Sequence, residues 1–144
     1  YSAGILDRNA DLVDLATLLR EAHIISLHCA TTPETTNLIN AERLALVRDG
    51  AYLVNTARGE LVDEGALYDA LVSGKLAGAA SDVFHNEPPE GSPLLALDNF
   101  LPTLHIAGTT QESVQRMAML AAQNVVDVLR GDISGYAVNT IQPE

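Results

Sequence analysis

Short runs of apolar residues recur along this 144-residue chain, and segments with helical spacing separate them. Runs of this length, bounded by glycine or polar residues, are typical of strands buried in a parallel sheet. Four such strands are predicted, at residues 23–28, 51–58, 77–84 and 100–104. Because strands and helices alternate strictly, the pattern predicts an α/β fold with a parallel sheet.

The helices are predicted from capping side chains that stand just before apolar residues on one helical face. The predicted caps are Asp14, Asn40, Asp63 and a capping box at residues 109–112. Gly74 is expected to close the third helix in a left-handed conformation, and Gly131 to end the fourth. Helices are therefore expected near residues 15–19, 41–47 and 64–73 and over a longer stretch after residue 112.

Length and charge limit the classes of protein to which the chain can belong. At 144 residues it fits about one domain, and no apolar run approaches the roughly twenty residues of a membrane span. Eight basic and nineteen acidic side chains give a net charge of −11. This excess of negative charge disfavours binding to nucleic acid and to anionic membrane surfaces.

Cysteine and histidine usage adds two further expectations. Cys29 is the single cysteine, so no internal disulfide can form, and the first residues lack the form of a signal peptide. A cytoplasmic location is therefore expected. The histidines are scattered, at His23, His28, His85 and His105, and no metal site is predicted from them.

Polar side chains stand where the predicted strands end. These are His28, Arg58, Asp82 and His105, with Glu87 in the loop that follows the third strand. The carboxyl ends of parallel strands meet at one edge of a sheet, where ligands bind. An Arg can grip a carboxylate with two N–H groups, and a Glu beside a His can fix its tautomer while the other ring nitrogen handles a proton. The set fits redox chemistry on a carbonyl or hydroxy acid.

Each of these residues also has an ordinary explanation. Arg58 could pair with a surface carboxylate, and His105 could be a hydrogen-bonded histidine at a strand end. Glu87 could be a solvated loop residue, Asp82 a cap, and His28 an edge-of-strand polar residue. Taken singly, none of them decides the function.

Together, three segments carry a resemblance. They read NTARGELVDEGALYDALVSGKLAGAASDVFHNEPP from residue 55, LHIAGTTQES from residue 104, and AVN at residues 137–139. In this order and spacing they resemble the D-isomer-specific 2-hydroxyacid dehydrogenases, in particular the D-3-phosphoglycerate dehydrogenase members. The resemblance runs from about Leu12 to Asn139 and implies a Rossmann-type sheet with flanking helices and NAD as cofactor.

The resemblance also implies a role for individual residues. Arg58 would bind the substrate carboxylate, Glu87 would polarise His105, and His105 would exchange the proton with the substrate. Asp82 would hydrogen-bond the nicotinamide carboxamide. The positions that the resemblance places against NAD are Cys29, Thr56, Ala57, Arg58, Asp82, His105 and Gly108.

This sequence departs from the family pattern in four respects. Leu104 stands where a Pro usually precedes the catalytic His, and Ala30 stands at another usual Pro. The chain has no G-x-G-x-x-G loop, and the family's substrate-binding domain is absent. Residues 1–144 are therefore expected to form part of an NAD-binding domain, inactive in isolation. The strand near residues 24–27 is expected to be an edge, with sheet surface exposed.

The whole protein is expected to transfer hydride between NAD and a small D-2-hydroxy or 2-oxo acid, with 3-phosphoglycerate and hydroxypyruvate as candidates. The resemblance implies a homodimer for the full-length enzyme. Two alternatives remain at this point. One is an NAD(H)-sensing, corepressor-like protein of the same fold, and the other is a non-catalytic α/β interaction domain.

Overall fold

A computed structural model describes residues 10–132, so that the AVN motif at residues 137–139 lies outside the described part. The chain divides into two compact units, one up to His105 and the other from Ile106 onward. The strands are β1 (Ile24–Leu27), β2 (Ala51–Asn55), β3 (Leu76–Ser81) and β4 (Phe100–Pro102). The helices are α1 (Leu15–Glu21), α2 (Ala41–Leu46), α3 (Glu64–Val72) and α4 (Gln111–Leu129), with short 3-10 turns at Gly59–Leu61 and Pro93–Ala96.

The first unit is built on a four-stranded sheet in the order β1-β2-β3-β4, and all three pairings are parallel. Ile25 pairs with Leu53, Leu53 with Ala79 and Ala79 with Phe100, so one buried row crosses the whole sheet. Among the described residues β1 pairs only with β2, which makes it an edge strand. The α/β fold and the edge position of β1 are as predicted.

The predicted caps of the first three helices are confirmed. Asp14 Oδ1 accepts from the Thr17 N–H at 2.9 Å, at the start of α1. Asn40 accepts from the backbone N–H of Arg43, and Asp63 from that of Ala66, both at 3.0 Å. Each bond satisfies a helix N–H group that has no partner within its own helix, and so fixes where the helix begins.

The core lies on one face of the sheet. α1, α2 and α3 contribute Leu19, Leu44 and Leu67 to the same cluster as the buried row of the sheet. A fully buried leucine stabilises the fold by about 1.5 to 3 kcal/mol. On the opposite face Ile24 is 67% and Tyr52 52% exposed. Part of the sheet surface is therefore exposed, as expected.

Three predicted strands end earlier in the structure than in the sequence pattern. β2 ends at Asn55, so Arg58 lies in the following turn and not in the strand. β3 ends at Ser81 and β4 at Pro102, which places Asp82 and His105 in turns as well. The apolar patterns extend past the last ladder pairs because turn residues also pack against the core, as buried Val83 and Phe84 do.

In the second unit α4 runs for 19 residues, from Gln111 to Leu129. Its N-cap is Thr110, whose Oγ1 accepts from the Ser113 N–H at 3.2 Å, so the capping box predicted at residues 109–112 is displaced by one residue. Gly131 follows the helix with φ of 86°, as expected of a residue that ends it. No described helix has the length and apolarity needed to span a membrane.

Candidate active site

The turn after β2 is shaped by the side chain of Asn55. This residue is only 3% exposed. Its Oδ1 accepts from the Ala57 N–H at 3.1 Å, and its Nδ2 donates to the Arg58 carbonyl at 2.8 Å. The first bond makes an Asx-turn, in which an amide side chain takes the place of a backbone acceptor. Arg58 is thereby presented, exposed, at the carboxyl edge of the sheet.

Gly59 lets this turn pack directly on the turn after β3. A Cβ atom at Gly59 would lie 2.1 Å from the Phe84 carbonyl carbon and 2.6 Å from the His85 nitrogen. Its φ is not in the left-handed range, so conformational freedom is not what the position requires. The pattern of an apolar run that stops at glycine indicates a turn, but the close approach depends on residues distant in sequence.

Asp82 joins the strand ends of β2, β3 and β4. Its N–H donates to the Asn55 carbonyl at 2.9 Å, and its carbonyl accepts from the His105 N–H at 2.8 Å. Its carboxylate, which is buried, accepts from Thr103 Oγ1 at 2.6 Å. His105 itself has a φ of 54°, a left-handed conformation that few non-glycine residues adopt. The backbone of His105 is thus held in place by Asp82, the first residue after β3.

Glu87 and His105 are in direct contact. Glu87 Oε2 lies 2.8 Å from His105 Nδ1, while Oε1 accepts from the Phe84 N–H at 3.0 Å. A carboxylate acceptor requires the proton on Nδ1, which leaves Nε2 as the ring atom available to a ligand. The hydrogen bond from His105, followed by that from Phe84, lowers the pKa of Glu87 from its ordinary value of 4.5. Glu87 therefore stays ionised beside the ring.

Arg58 opens into the same cleft, which has a volume of about 250 Å³. The cleft is lined by Arg58, Gly59, Glu60, Val83, Phe84, His85, Glu87 and His105. The three residues predicted to be catalytic thus share one depression, although they come from three different loops. Two residues that line the cleft, Glu60 and His85, were not predicted from the sequence. Each lies two positions from a predicted catalytic residue, Arg58 or Glu87, and this proximity could have indicated them.

Arg58 forms no ion pair within residues 10–132. The ion pairs there are Lys75 with Asp49, at 2.6 Å, and His105 with Glu87. The guanidinium donates through Nη1 to its neighbouring Ala57 carbonyl at 2.6 Å. An arginine has five N–H donors, so this contact leaves most of them for another acceptor. Among the described residues, therefore, Arg58 lacks the surface carboxylate partner that its ordinary explanation requires.

The other residues predicted for the site are not among those that line the cleft. His28 follows β1, is exposed, and pairs with Ser26 Oγ at 2.8 Å, so it does not line the cleft. Cys29 and Ala57 are half-buried against the core, and Thr56 is exposed in the turn after β2. Gly108 belongs to the second unit.

Within residues 10–132 no three His, Cys, Asp or Glu side chains form a group that could hold a metal ion. His85, for example, is engaged by protein groups. Its ring Nε2 lies 3.2 Å from the Val62 carbonyl, and its backbone N–H donates to Glu64 Oε1 at 2.9 Å. The geometry of the cleft is therefore that of an acid–base pair with a neighbouring cation.

Several proteins of known activity are similar to this chain. A glyoxylate reductase from Thermofilum pendens is 49% identical over 132 residues, which are 91% of this chain and 39% of that protein. A D-3-phosphoglycerate dehydrogenase from Methanocaldococcus jannaschii is 43% identical over 126 residues, 88% of this chain and 24% of that protein. The chain thus spans two fifths or less of the length of these relatives.

Solved structures similar to this chain include that of a dehydrogenase. The structure of D-lactate dehydrogenase with NAD+ from Lactobacillus jensenii matches with a TM-score of 0.81 at 31% identity, covering 89% of this chain and 43% of that one. Residues 3–107 match the model of the family described as D-isomer specific 2-hydroxyacid dehydrogenase, NAD binding domain. That match covers well over half of the sequence, and this chain therefore belongs to the D-isomer-specific 2-hydroxyacid dehydrogenase family, within its NAD-binding domain.

Proposed function

We propose that this chain is part of an oxidoreductase that transfers hydride between NAD and a small D-2-hydroxy or 2-oxo acid. The observation that carries the proposal is the contact of Glu87 with His105 at 2.8 Å in a cleft that also contains Arg58. One cleft thus offers a proton-handling ring, a carboxylate that orients it and a cation without an ion pair among the described residues. Those are the groups that reduction of a 2-oxo acid requires of a protein.

The residues at the carboxyl edge fit the nicotinamide half of NAD. Cys29 follows β1, and Thr56 and Ala57 follow β2, with short side chains that leave room for a flat ring at the edge where α/β sheets bind ligands. Buried Asp82 stands at the end of the next strand. When bound, NADH supplies the hydride that the substrate carbonyl carbon accepts.

Arg58 is proposed to bind the carboxylate of the acid. Its planar guanidinium can donate two parallel N–H groups to the two carboxylate oxygens, which fixes the orientation of the adjoining carbonyl group. The rigid Asn55 turn and the packing of Gly59 on Phe84 set its distance from His105. Orientation of this kind lowers the barrier because the reacting groups no longer have to find one another.

His105 is proposed to donate a proton from Nε2 to the substrate carbonyl oxygen during reduction and to take it back during oxidation. Glu87 holds the ring by Nδ1 and stabilises the positive charge that the ring carries before it gives up the proton. The Phe84 N–H fixes Glu87 in turn, so the ring orientation is set by two successive hydrogen bonds.

An activity screen on the full-length protein tests the proposal. We expect NADH oxidation with at least one acid among glyoxylate, hydroxypyruvate and phosphohydroxypyruvate, and no turnover after Arg58→Ala or His105→Ala. Lys75→Ala, which changes a cation on the opposite edge of the sheet, serves as the control and should keep wild-type turnover. Binding of NADH without turnover of any 2-oxo acid would contradict the proposal and favour an NAD(H) sensor.

We further propose that the full-length protein works as a homodimer in the cytoplasm. The family resemblance supports the dimer, and the single Cys29 and the net charge of −11 suit a reducing, soluble environment. Sedimentation of the full-length protein should give twice the mass of one chain. A monomer at micromolar concentration would contradict the dimer.

A further inference from the structure

We infer that Asn55 is a positioning residue whose side chain sets the geometry of Arg58 for the substrate carboxylate. The inference rests on the proposed role of Arg58. Asn55 is 3% exposed, lines no part of the cleft and touches neither Glu87 nor His105 with its side chain. Its effect on catalysis must therefore pass through the turn that it holds.

Both ends of the Asn55 amide are used by that turn. Oδ1 accepts from the Ala57 N–H at 3.1 Å, and Nδ2 donates to the Arg58 carbonyl at 2.8 Å. The two bonds fix the Thr56–Ala57 and Arg58–Gly59 peptides, which flank the Ala57–Arg58 peptide. Because Arg58 also donates through Nη1 to the Ala57 carbonyl of this middle peptide, the turn defines the direction in which its guanidinium leaves the backbone. Loss of the amide would free the backbone and the guanidinium together.

The main chain of Asn55 has a separate task. Its carbonyl accepts from the Asp82 N–H at 2.9 Å, and the Asp82 carbonyl accepts from the His105 N–H at 2.8 Å. These backbone bonds tie the turn after β2 to the loop of His105, and they do not depend on the Asn55 side chain. Substitution of the side chain should therefore disturb Arg58 while leaving the Glu87–His105 contact in place.

A purely structural buried amide is the competing explanation, and Asn99 offers a matched control. Its Nδ2 donates to the Leu71 carbonyl at 3.2 Å, it is half-buried, and it precedes β4 at the amino edge of the sheet. Loss of either amide should lower stability, because the backbone carbonyl partner loses its donor. Only the loss at Asn55 should alter recognition of the acid.

The test uses the full-length protein and three variants, Asn55→Ala, the milder Asn55→Ser and the control Asn99→Ala. A serine can still accept from the N–H two residues on, but cannot reach the Arg58 carbonyl. We expect KM for the 2-oxo acid to rise about tenfold or more in the Asn55 variants, the scale of one misplaced charge-assisted contact. In Asn55→Ser, which keeps the bond to the Ala57 N–H, KM for NADH and the pH profile should stay at wild-type values. Asn99→Ala should change only the melting temperature.

A double-mutant cycle separates positioning from general damage. In an Arg58→Lys background, which keeps measurable turnover, the Asn55→Ser substitution should have no further effect on KM for the acid, since the guanidinium that it positions is gone. Additive effects, or wild-type KM in the folded Asn55→Ser protein, would overturn the inference. If the wild-type protein turns over no 2-oxo acid, the proposed function fails instead. Amide hydrogen exchange gives a readout without substrate, because the Ala57 N–H should be protected in wild type, lose protection in Asn55→Ala and keep part of it in Asn55→Ser.

Discussion

The two edges of the sheet treat their polar groups differently. At the amino edge, Lys75 pairs with Asp49 at 2.6 Å and the Asn99 amide is bound to the Leu71 carbonyl. At the carboxyl edge Arg58 has no ion pair within residues 10–132, although acidic side chains outnumber basic ones nineteen to eight in the chain. Lys75 and Asp49 satisfy each other, whereas Arg58 has no carboxylate partner among the described residues. This difference supports the proposal that Arg58 meets an anion from outside.

Two glycines differ in how closely the surrounding atoms approach them. At Gly59, by the carboxyl edge, an added Cβ atom would lie 2.1 Å from backbone of Phe84. At Gly78 in β3 the closest atoms would be the Asn99 carbonyl at 3.1 Å and the Tyr52 ring at 3.2 Å. At Gly78 both neighbours would have to give by only a few tenths of an ångström, whereas at Gly59 two backbone segments would have to move apart by far more. The packing is therefore tighter at Gly59, where the turns after β2 and β3 meet, than at Gly78 in the sheet.

The largest effect is expected from Gly59→Ala. The methyl group must push the turns after β2 and β3 apart, and we expect it to lower the free energy of unfolding by about 3 kcal/mol, the upper range for overpacking. Gly78→Ala is the matched control, with an expected loss of about 1 kcal/mol or less. Urea unfolding of both variants measures the difference. Equal losses would mean that the carboxyl edge is no more tightly packed than the sheet.

Arg58→Lys should come next. The lysine keeps the positive charge but loses the two parallel donors, so transition-state stabilisation should fall by about 1 to 3 kcal/mol in the full-length enzyme. Lys75→Arg at the amino edge makes the reverse exchange, and it should leave kcat and KM unchanged. Steady-state kinetics with the preferred 2-oxo acid give the comparison. Unchanged kinetics in Arg58→Lys would remove this residue from the site.

The sequence was sufficient for the local features of both edges. The caps Asp14, Asn40 and Asp63 were predictable because a capping side chain and its partner N–H lie within one turn of chain. The strands were predictable because four apolar runs alternate with helices. Arg58 and His105 could be placed at one edge because parallel strands bring their carboxyl ends together.

Contacts between distant segments were not predictable. The packing of Gly59 on Phe84 and the use of the Asn55 amide depend on how two turns meet in space. The resemblance suggested the Glu87–His105 pair, but the sequence could not supply the Phe84 N–H that holds Glu87. Periodicity puts apolar residues on one side of α4, but it does not show what they contact, and Met117 is 56% and Val125 60% exposed.

A smaller effect is expected from Glu87→Gln, which breaks the acid–base pair while keeping its shape. The hydrogen bond from His105 lowers the pKa of Glu87, so the carboxylate remains charged, and the contact intact, until the pH falls below its ordinary value of 4.5. The neutral amide cannot stabilise a protonated ring, so the reduction limb of the pH profile should move toward acid. His85→Asn, in the same cleft, controls for general disturbance. An unshifted profile in Glu87→Gln would show that the pair is not coupled in catalysis.

The smallest effect is expected at the amino edge, from Asp49→Asn. The Lys75 hydrogen bond lowers the pKa of Asp49, so the stabilisation is present above the carboxyl group's unfolded value and is lost as the pH falls through the folded one. Asp49 is largely exposed, and salt screens such pairs, so the melting temperature should drop only slightly at neutral pH and low salt. The difference from wild type should vanish at high salt or well below the ordinary carboxyl pKa.

Kinetics of the full-length enzyme should not change at all in Asp49→Asn, because this pair lies at the edge of the sheet opposite Arg58. A change in KM for the acid would mean that the two edges are coupled, and that the assignment of acid binding to the carboxyl edge alone is wrong.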